Sequence, residues 1–77
     1  MEIKVLVFGQ LTDIFRSSSL LMRDIPDTDR LLAELTRRFP QLGGSKYVLA
    51  VNKKTISGNT PLSDGSTVAL LPPFSGG

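Results

Sequence analysis

The chain contains no cysteine and no histidine. Without cysteine there is no disulfide and no thiol nucleophile. Without histidine the common zinc sites are excluded, and no imidazole is available as a base near neutral pH. Long apolar runs are also missing. None approaches the ~20 residues of a membrane span, and the opening MEIKVLVF has neither a basic leading region nor a small-residue cleavage site. A cytoplasmic protein with no membrane partner is therefore expected. Charge of one sign is scarce: the net charge is +2, and the nine basic residues are scattered, with Arg37–Arg38 and Lys53–Lys54 the only adjacent pairs. Nucleic-acid binders carry a basic stripe, and its absence predicts no nucleic-acid partner. At 77 residues the chain makes one domain. A domain this small buries only about 60% of its unfolded surface. Its core must come from Val, Leu, Ile and Phe alone.

What is present reads as a series of short elements. EIKVLVF is rich in β-branched residues and predicts a strand over Glu2–Phe8. Alternation places Ile3, Val5 and Val7 on one face and Lys4, Leu6 and Phe8 on the other. TDIFRSSS is polar and small apart from Ile14 and Phe15, and reads as a connection to a moderate strand at Ser19–Asp24. DTDRLLAELTRRFP predicts a helix. Asp27 or Thr28 can accept first-turn N–H groups, Leu31, Leu35 and Phe39 recur at four-residue spacing beside Leu32, and Pro40 marks the end. KYVLAVN reads as an interior strand, NKKTIS as a tight turn into a short strand at Thr55–Ser57, GNTPLSDGS as turns, and TVALLP as the last strand. The order β-β-α-β-β-β, with the most apolar strands first and last, predicts an α+β fold. In it those two strands lie centrally side by side, and a mixed sheet packs on one main helix: a β-grasp.

The ending LLPPFSGG divides this domain, residues 1–71, from a tail, residues 72–77. Proline cannot donate to a sheet ladder, so Pro72 and Pro73 stop the strand. They also favour an extended backbone that needs no internal hydrogen bonds. Six residues from Pro72 reach at most about 20 Å. Phe74 is a candidate aromatic anchor. Ser75, Gly76 and Gly77 have little or no side chain and suit a channel that a Cβ would block. The Gly77 carboxylate is ionised at neutral pH, with a typical pKa of about 3.3–3.7. It is a poor electrophile, so its use as an acyl donor requires activation.

IKVLVFGQL, AVN at Ala50–Asn52, PLSDG at Pro61–Gly65 and VALLPPFSGG at Val68–Gly77 resemble the small subunits of molybdopterin synthase. These are ubiquitin-like sulfur carriers of molybdenum cofactor biosynthesis. Two positions depart from the pattern: Ser66 stands where an acidic residue is usual, and Phe74 where a smaller β-branched one is. The resemblance implies a cycle. A ubiquitin-activating-like adenylyltransferase uses ATP to adenylate Gly77, and a sulfur donor enzyme converts the adenylate to a thiocarboxylate. The tail then inserts into the large subunit, where sulfur passes to cyclic pyranopterin monophosphate to form the dithiolene. It also implies a heterotetramer with a large-subunit dimer, no cofactor bound by this chain, and no catalysis by the chain alone.

Recognition of such partners needs a surface. Leu6, Phe8, Ala69 and Leu71, joined by Leu49, are expected on the sheet face opposite the helix as an apolar interface. Lys53–Lys54 read as a solvated turn that could meet acidic partner groups, Asp64–Gly65 as a turn, and Tyr47 as partly buried structure. Two alternatives share the tail: a sulfur carrier for thiazole synthesis, whose relatives usually lack Pro-Pro, and a protein modifier or interaction module.

Overall fold

The computed structural model of the chain describes residues 1–73. Five strands form one mixed sheet: β1 (Glu2–Val7), β2 (Ser19–Arg23), β3 (Val48–Val51), β4 (Lys54–Ile56) and β5 (Thr67–Leu71). Their spatial order is β2-β1-β5-β3-β4. The first and last strands are thus neighbours and run parallel, with Lys4 beside Thr67 and Val7 beside Leu70, while the remaining pairs are antiparallel. This is the expected β-grasp arrangement.

Period-two patterning explains which face is buried. Ile3, Val5, Val68 and Leu70 are 0% exposed, and all four point to the same side of the sheet. That side is covered by α2 (Thr28–Arg38), whose Leu31 and Leu35, four residues apart, are also 0% exposed. Burying each such side chain contributes roughly 1.5–3 kcal/mol, so these positions carry much of a small domain's stability.

Helix α2 begins where its sequence signals place it. The Asp27 carboxylate accepts the Arg30 N–H at 2.9 Å. The loop between β4 and β5 adds a second cap, since Asn59 Oδ1 accepts the Asp29 N–H at 2.8 Å. The buried Thr28 hydroxyl accepts the Thr60 N–H at 2.9 Å. These bonds fasten a turn-rich loop to the helix start. At the other end, Arg37 and Arg38 sit in the last turn, where the macrodipole favours cations. Pro40 opens a 3₁₀ turn at Pro40–Gly44 that buries Leu42.

Some boundaries differ from expectation. The first strand ends at Val7 and the second at Arg23, where Asp24 turns to a left-handed φ of 58°. The fourth starts at Lys54 because the turn before it needs only Asn52 and Lys53, both at positive φ. The connection after β1 is also more structured than its polarity suggests. A 3₁₀ turn at Gly9–Leu11 leads into a short helix, α1 (Thr12–Phe15). Leu11 and Phe15 are buried, and the Phe15 ring lies 4.6 Å from that of Phe39, tilted by 43°. Such a pair contributes about 0.5–1.5 kcal/mol beyond its area. The segment thus closes the end of the core that α2 leaves open.

Candidate functional site

Among the described residues, no element lies over the sheet face opposite α2. Lys4, Leu6 and Phe8 of the first strand and its extension emerge there, alternating with the buried set. Across the parallel pair, Leu6 is in register with Ala69. On the next strand Ala69 faces Ala50, and Ala50 faces Thr55 of β4. The row thus runs Leu, Ala, Ala, Thr, with its two smallest side chains in the middle. Leu6, Phe8 and Leu71 stand beside the short ones, leaving a groove of about 550 Å³. Asn52, Lys53 and Thr67 complete its lining. Phe8 is 44% exposed and Leu6, Ala69 and Leu71 are half-buried. A continuous apolar surface of this kind on a small domain marks an interaction site.

Leu49 does not belong to it. Residues directly opposite each other on paired strands share a face, and Leu49 is opposite Leu70, which is 0% exposed. Leu49 therefore faces α2 and is itself buried in the core. Ala50 takes the place expected for it. A one-residue change of face moves a whole strand's pattern, and VLAV, apolar throughout, gives no alternation to read.

The strand that floors the groove also delivers the tail. Its last paired residue is Leu71, opposite Val48, and Pro72 follows without an N–H to extend the ladder. Pro72 rests on Gly9. A Cβ placed at Gly9 would lie 2.9 Å from Pro72 Cγ, and Gly9 has φ +60°. Glycine therefore serves twice here, by allowing the turn after β1 and by letting the Pro72 ring approach its backbone. The Phe8 N–H donates to the Leu70 carbonyl at 3.0 Å, holding this turn against the base of the tail. The residues alone hinted at this only through a glycine following an apolar strand. Pro73 is exposed. The expected anchor Phe74, and Ser75, Gly76 and Gly77, lie outside the described residues.

Other candidates are placed elsewhere. Tyr47 is half-buried against the core and borders a separate hollow with Leu32, Ile56 and Asn59. Asp64 accepts the Glu2 N–H at 2.7 Å and Gly65 turns at φ +85°, a structural role. Ser66 is buried, and its hydroxyl accepts the Ser63 N–H at 3.0 Å. A short side chain thus meets the need for an acceptor in that turn. Among the described residues no group of three or more acidic, histidine or cysteine side chains could hold a metal, and no helix is long and apolar enough to cross a membrane.

Comparison with known proteins places this geometry among relatives. The model of the ThiS family matches residues 5–77. The molybdopterin synthase sulfur carrier subunit of Escherichia coli (strain K12) is 34% identical over 80 residues, covering 97% of this chain and 99% of that protein. A chain from the protein-protein complex of subunits 1 and 2 of molybdopterin-converting factor from Helicobacter pylori 26695 superposes with a TM-score of 0.75 at 29% identity, with 100% of both chains covered. The small archaeal modifier protein 1 of Methanosarcina acetivorans shares the fold, with a TM-score of 0.81 at 24% identity over 99% of this chain and 96% of that one.

Proposed function

The chain belongs to the ThiS family, and from that premise we propose that it is the sulfur-carrying small subunit of a molybdopterin synthase. The observation that carries the proposal is the pairing of two features on one strand. Strand β5 contributes Ala69 and Leu71 to an uncovered apolar groove, and the very next residue begins the Pro72–Pro73 pair that leads to the Gly-Gly ending. A body that docks and a tail that reaches are thereby joined in fixed relation.

In the proposed cycle an activating adenylyltransferase binds the body through Leu6, Phe8, Ala69 and Leu71. The Gly77 carboxylate attacks the α-phosphorus of ATP and pyrophosphate leaves. Sulfide-level sulfur supplied by a donor enzyme then attacks the acyl carbon as HS⁻, and AMP and a proton depart, leaving a thiocarboxylate. The large subunit next receives the same face of the body, and the tail delivers its sulfur to cyclic pyranopterin monophosphate. Each sulfur delivered returns Gly77 to a carboxylate when water supplies the oxygen. Pro72, held on Gly9, sets the direction in which the chain leaves the sheet at Pro73, and Phe74 is the proposed aromatic anchor of the inserted tail. Ser75 and Gly76 allow passage to a buried centre. The extended Pro-Pro segment reduces the backbone entropy lost on insertion.

The test is intact-protein mass spectrometry of the full chain after incubation with ATP, the activating enzyme and a sulfur source. A gain of about 16 Da, one oxygen replaced by sulfur, is expected. Deletion of Gly77 should abolish it while leaving thermal unfolding unchanged. An unaltered mass in the presence of active adenylating enzyme would refute the proposal. Conjugates to lysine that survive reductant and boiling would instead identify a protein modifier, and rescue of a thiamine-requiring strain would identify a thiazole sulfur carrier.

A further inference from the structure

The charged residue lining the groove is a cation, beside the neutral polar groups of Asn52, Thr55 and Thr67. Lys53 lines it directly. Lys4, in register with the lining residue Thr67 and on the same face as Leu6, adds a second exposed cation. Asn52 also lines the groove, and its carbonyl oxygen is already engaged by the Thr67 N–H at 2.9 Å. Only its NH₂ remains to face an occupant. No acidic residue lines the groove. Glu2, two residues before Lys4 on the same face of β1, is held by the Arg23 guanidinium at 3.1 Å. An apolar floor is thus bordered by positive charge and hydrogen-bond donors.

The backbone shows that the lysine's place is set. Asn52 and Lys53 have φ of 49° and 72°, and the second central position of such a turn favours glycine. A lysine there bears a left-handed backbone that glycine would adopt without strain. The turn is pinned to β5 from both sides, since the Asn52 N–H donates to the Thr67 carbonyl at 2.8 Å while Asn52 Oδ1 accepts in return. The Lys53 Cα is therefore fixed at the groove edge, and only its side chain is free to search.

Resting on the proposed function, we infer that the partner surface seated on this face is an apolar segment flanked by carboxylates. Its aliphatic or aromatic side chain fills the hollow over Ala50 and Ala69, and its acidic groups meet Lys53 and Lys4. Apolar contact holds the complex, and the charges speed and orient its formation, the usual division between core and rim of an interface.

The test measures association of the full chain with its purified large subunit by stopped-flow fluorescence across a salt series. Between about 50 and 500 mM NaCl the wild-type association rate should fall at least tenfold. Lys53→Glu should slow association about tenfold at low salt and flatten the salt dependence, while dissociation changes less than threefold. Arg30→Glu alters net charge by the same amount on α2, away from the groove, and should change the rate less than twofold. A complex that forms at a rate indifferent to salt and to Lys53→Glu overturns this inference alone. Equal slowing by Arg30→Glu also overturns it, because net charge rather than the rim would then be responsible. If the wild-type chain forms no complex, the proposed function and this inference fall together. Far-UV circular dichroism of each variant should match the wild type, since both side chains are exposed.

Discussion

On the α2 side of the sheet, Ile3, Val5, Val68 and Leu70 are 0% exposed. On the opposite side of the same strands, Leu6, Ala69 and Leu71 are only half-buried and Phe8 is 44% exposed. Apart from Lys4 and Thr67 on the open side, the residue types hardly differ between the faces. What differs is the cover: one helix of eleven residues closes one side, and nothing in the described chain closes the other. Apolar surface left open on a domain with so thin a core forgoes stabilisation it could use. Its retention makes sense when a second protein supplies the missing layer.

The comparison is tested most severely at its closed side. Leu31→Ala removes a fully buried side chain from the centre of the α2 contact. It should destabilise the domain by about 2–5 kcal/mol, a large part of the roughly 5–15 kcal/mol available to a native domain. Urea unfolding measures this. A loss below about 1 kcal/mol would mean that the core face tolerates cavities and that the two faces do not differ as argued.

Phe8→Ala applies the same kind of truncation to the open side. Stability should change by less than about 1 kcal/mol, since nearly half of the ring already meets water. Affinity for the large subunit should fall about thirtyfold, the effect of an aromatic interface residue contributing about 2 kcal/mol. Calorimetric titration and urea unfolding of one preparation would give both numbers. Undiminished affinity would remove Phe8 from the proposed interface.

Legibility from sequence followed the same division. The core face of β1 and β5 was plain because ILE-VAL-VAL and VAL-LEU alternate with other residues, and α2 because Leu31 and Leu35 repeat between clear start and stop signals. Pairing of the first with the last strand followed from their being the most apolar. Two features were hidden. In α1 only four residues are helical, too few for periodicity to speak. Its burial rests on Phe15 meeting Phe39, a contact made in space rather than along the chain. The face of Leu49 was hidden because all four residues of β3 are apolar, so only the register against β5 decides it. The groove's lysine was visible as a charge pair, but its position at the rim depends on the left-handed turn and on the bonds from Asn52 to Thr67.

The junction between the two faces and the tail is sharpened by Gly9→Ala. The new Cβ would sit 2.9 Å from Pro72 Cγ, at φ +60°. A non-glycine residue in that conformation costs about 1–2 kcal/mol, and the ring must shift as well. Stability should fall by about that amount, and the rate of sulfur loading should fall with it as the tail's exit is redirected. If stability falls while loading at saturating activating enzyme is unchanged, Gly9 serves the turn alone and does not aim the tail.

The smallest effect belongs to the solvent side of α2. Glu34 accepts hydrogen bonds from Arg37 at 2.6 Å and from Arg38 at 3.3 Å. The Arg37 hydrogen bond is the chief reason that its carboxyl is held below the ordinary value of 4.5, partial burial opposing and the nearby positive charges assisting. Glu34 in turn raises the Arg37 guanidinium, which stays charged throughout the accessible range. For a carboxylate whose folded value is depressed, the stabilisation is present above the unfolded value and is lost as pH falls through the folded one. Stability should therefore decline below about pH 4.5 more steeply in the wild type than in Glu34→Gln. The gap should be small, because exposed ion pairs are worth little, and should shrink further in high salt. Urea midpoints taken from pH 7 downward would show it. Parallel curves for the two proteins would mean that the pairs seen on this helix contribute nothing, leaving the helix's buried stripe to hold it on the sheet unaided.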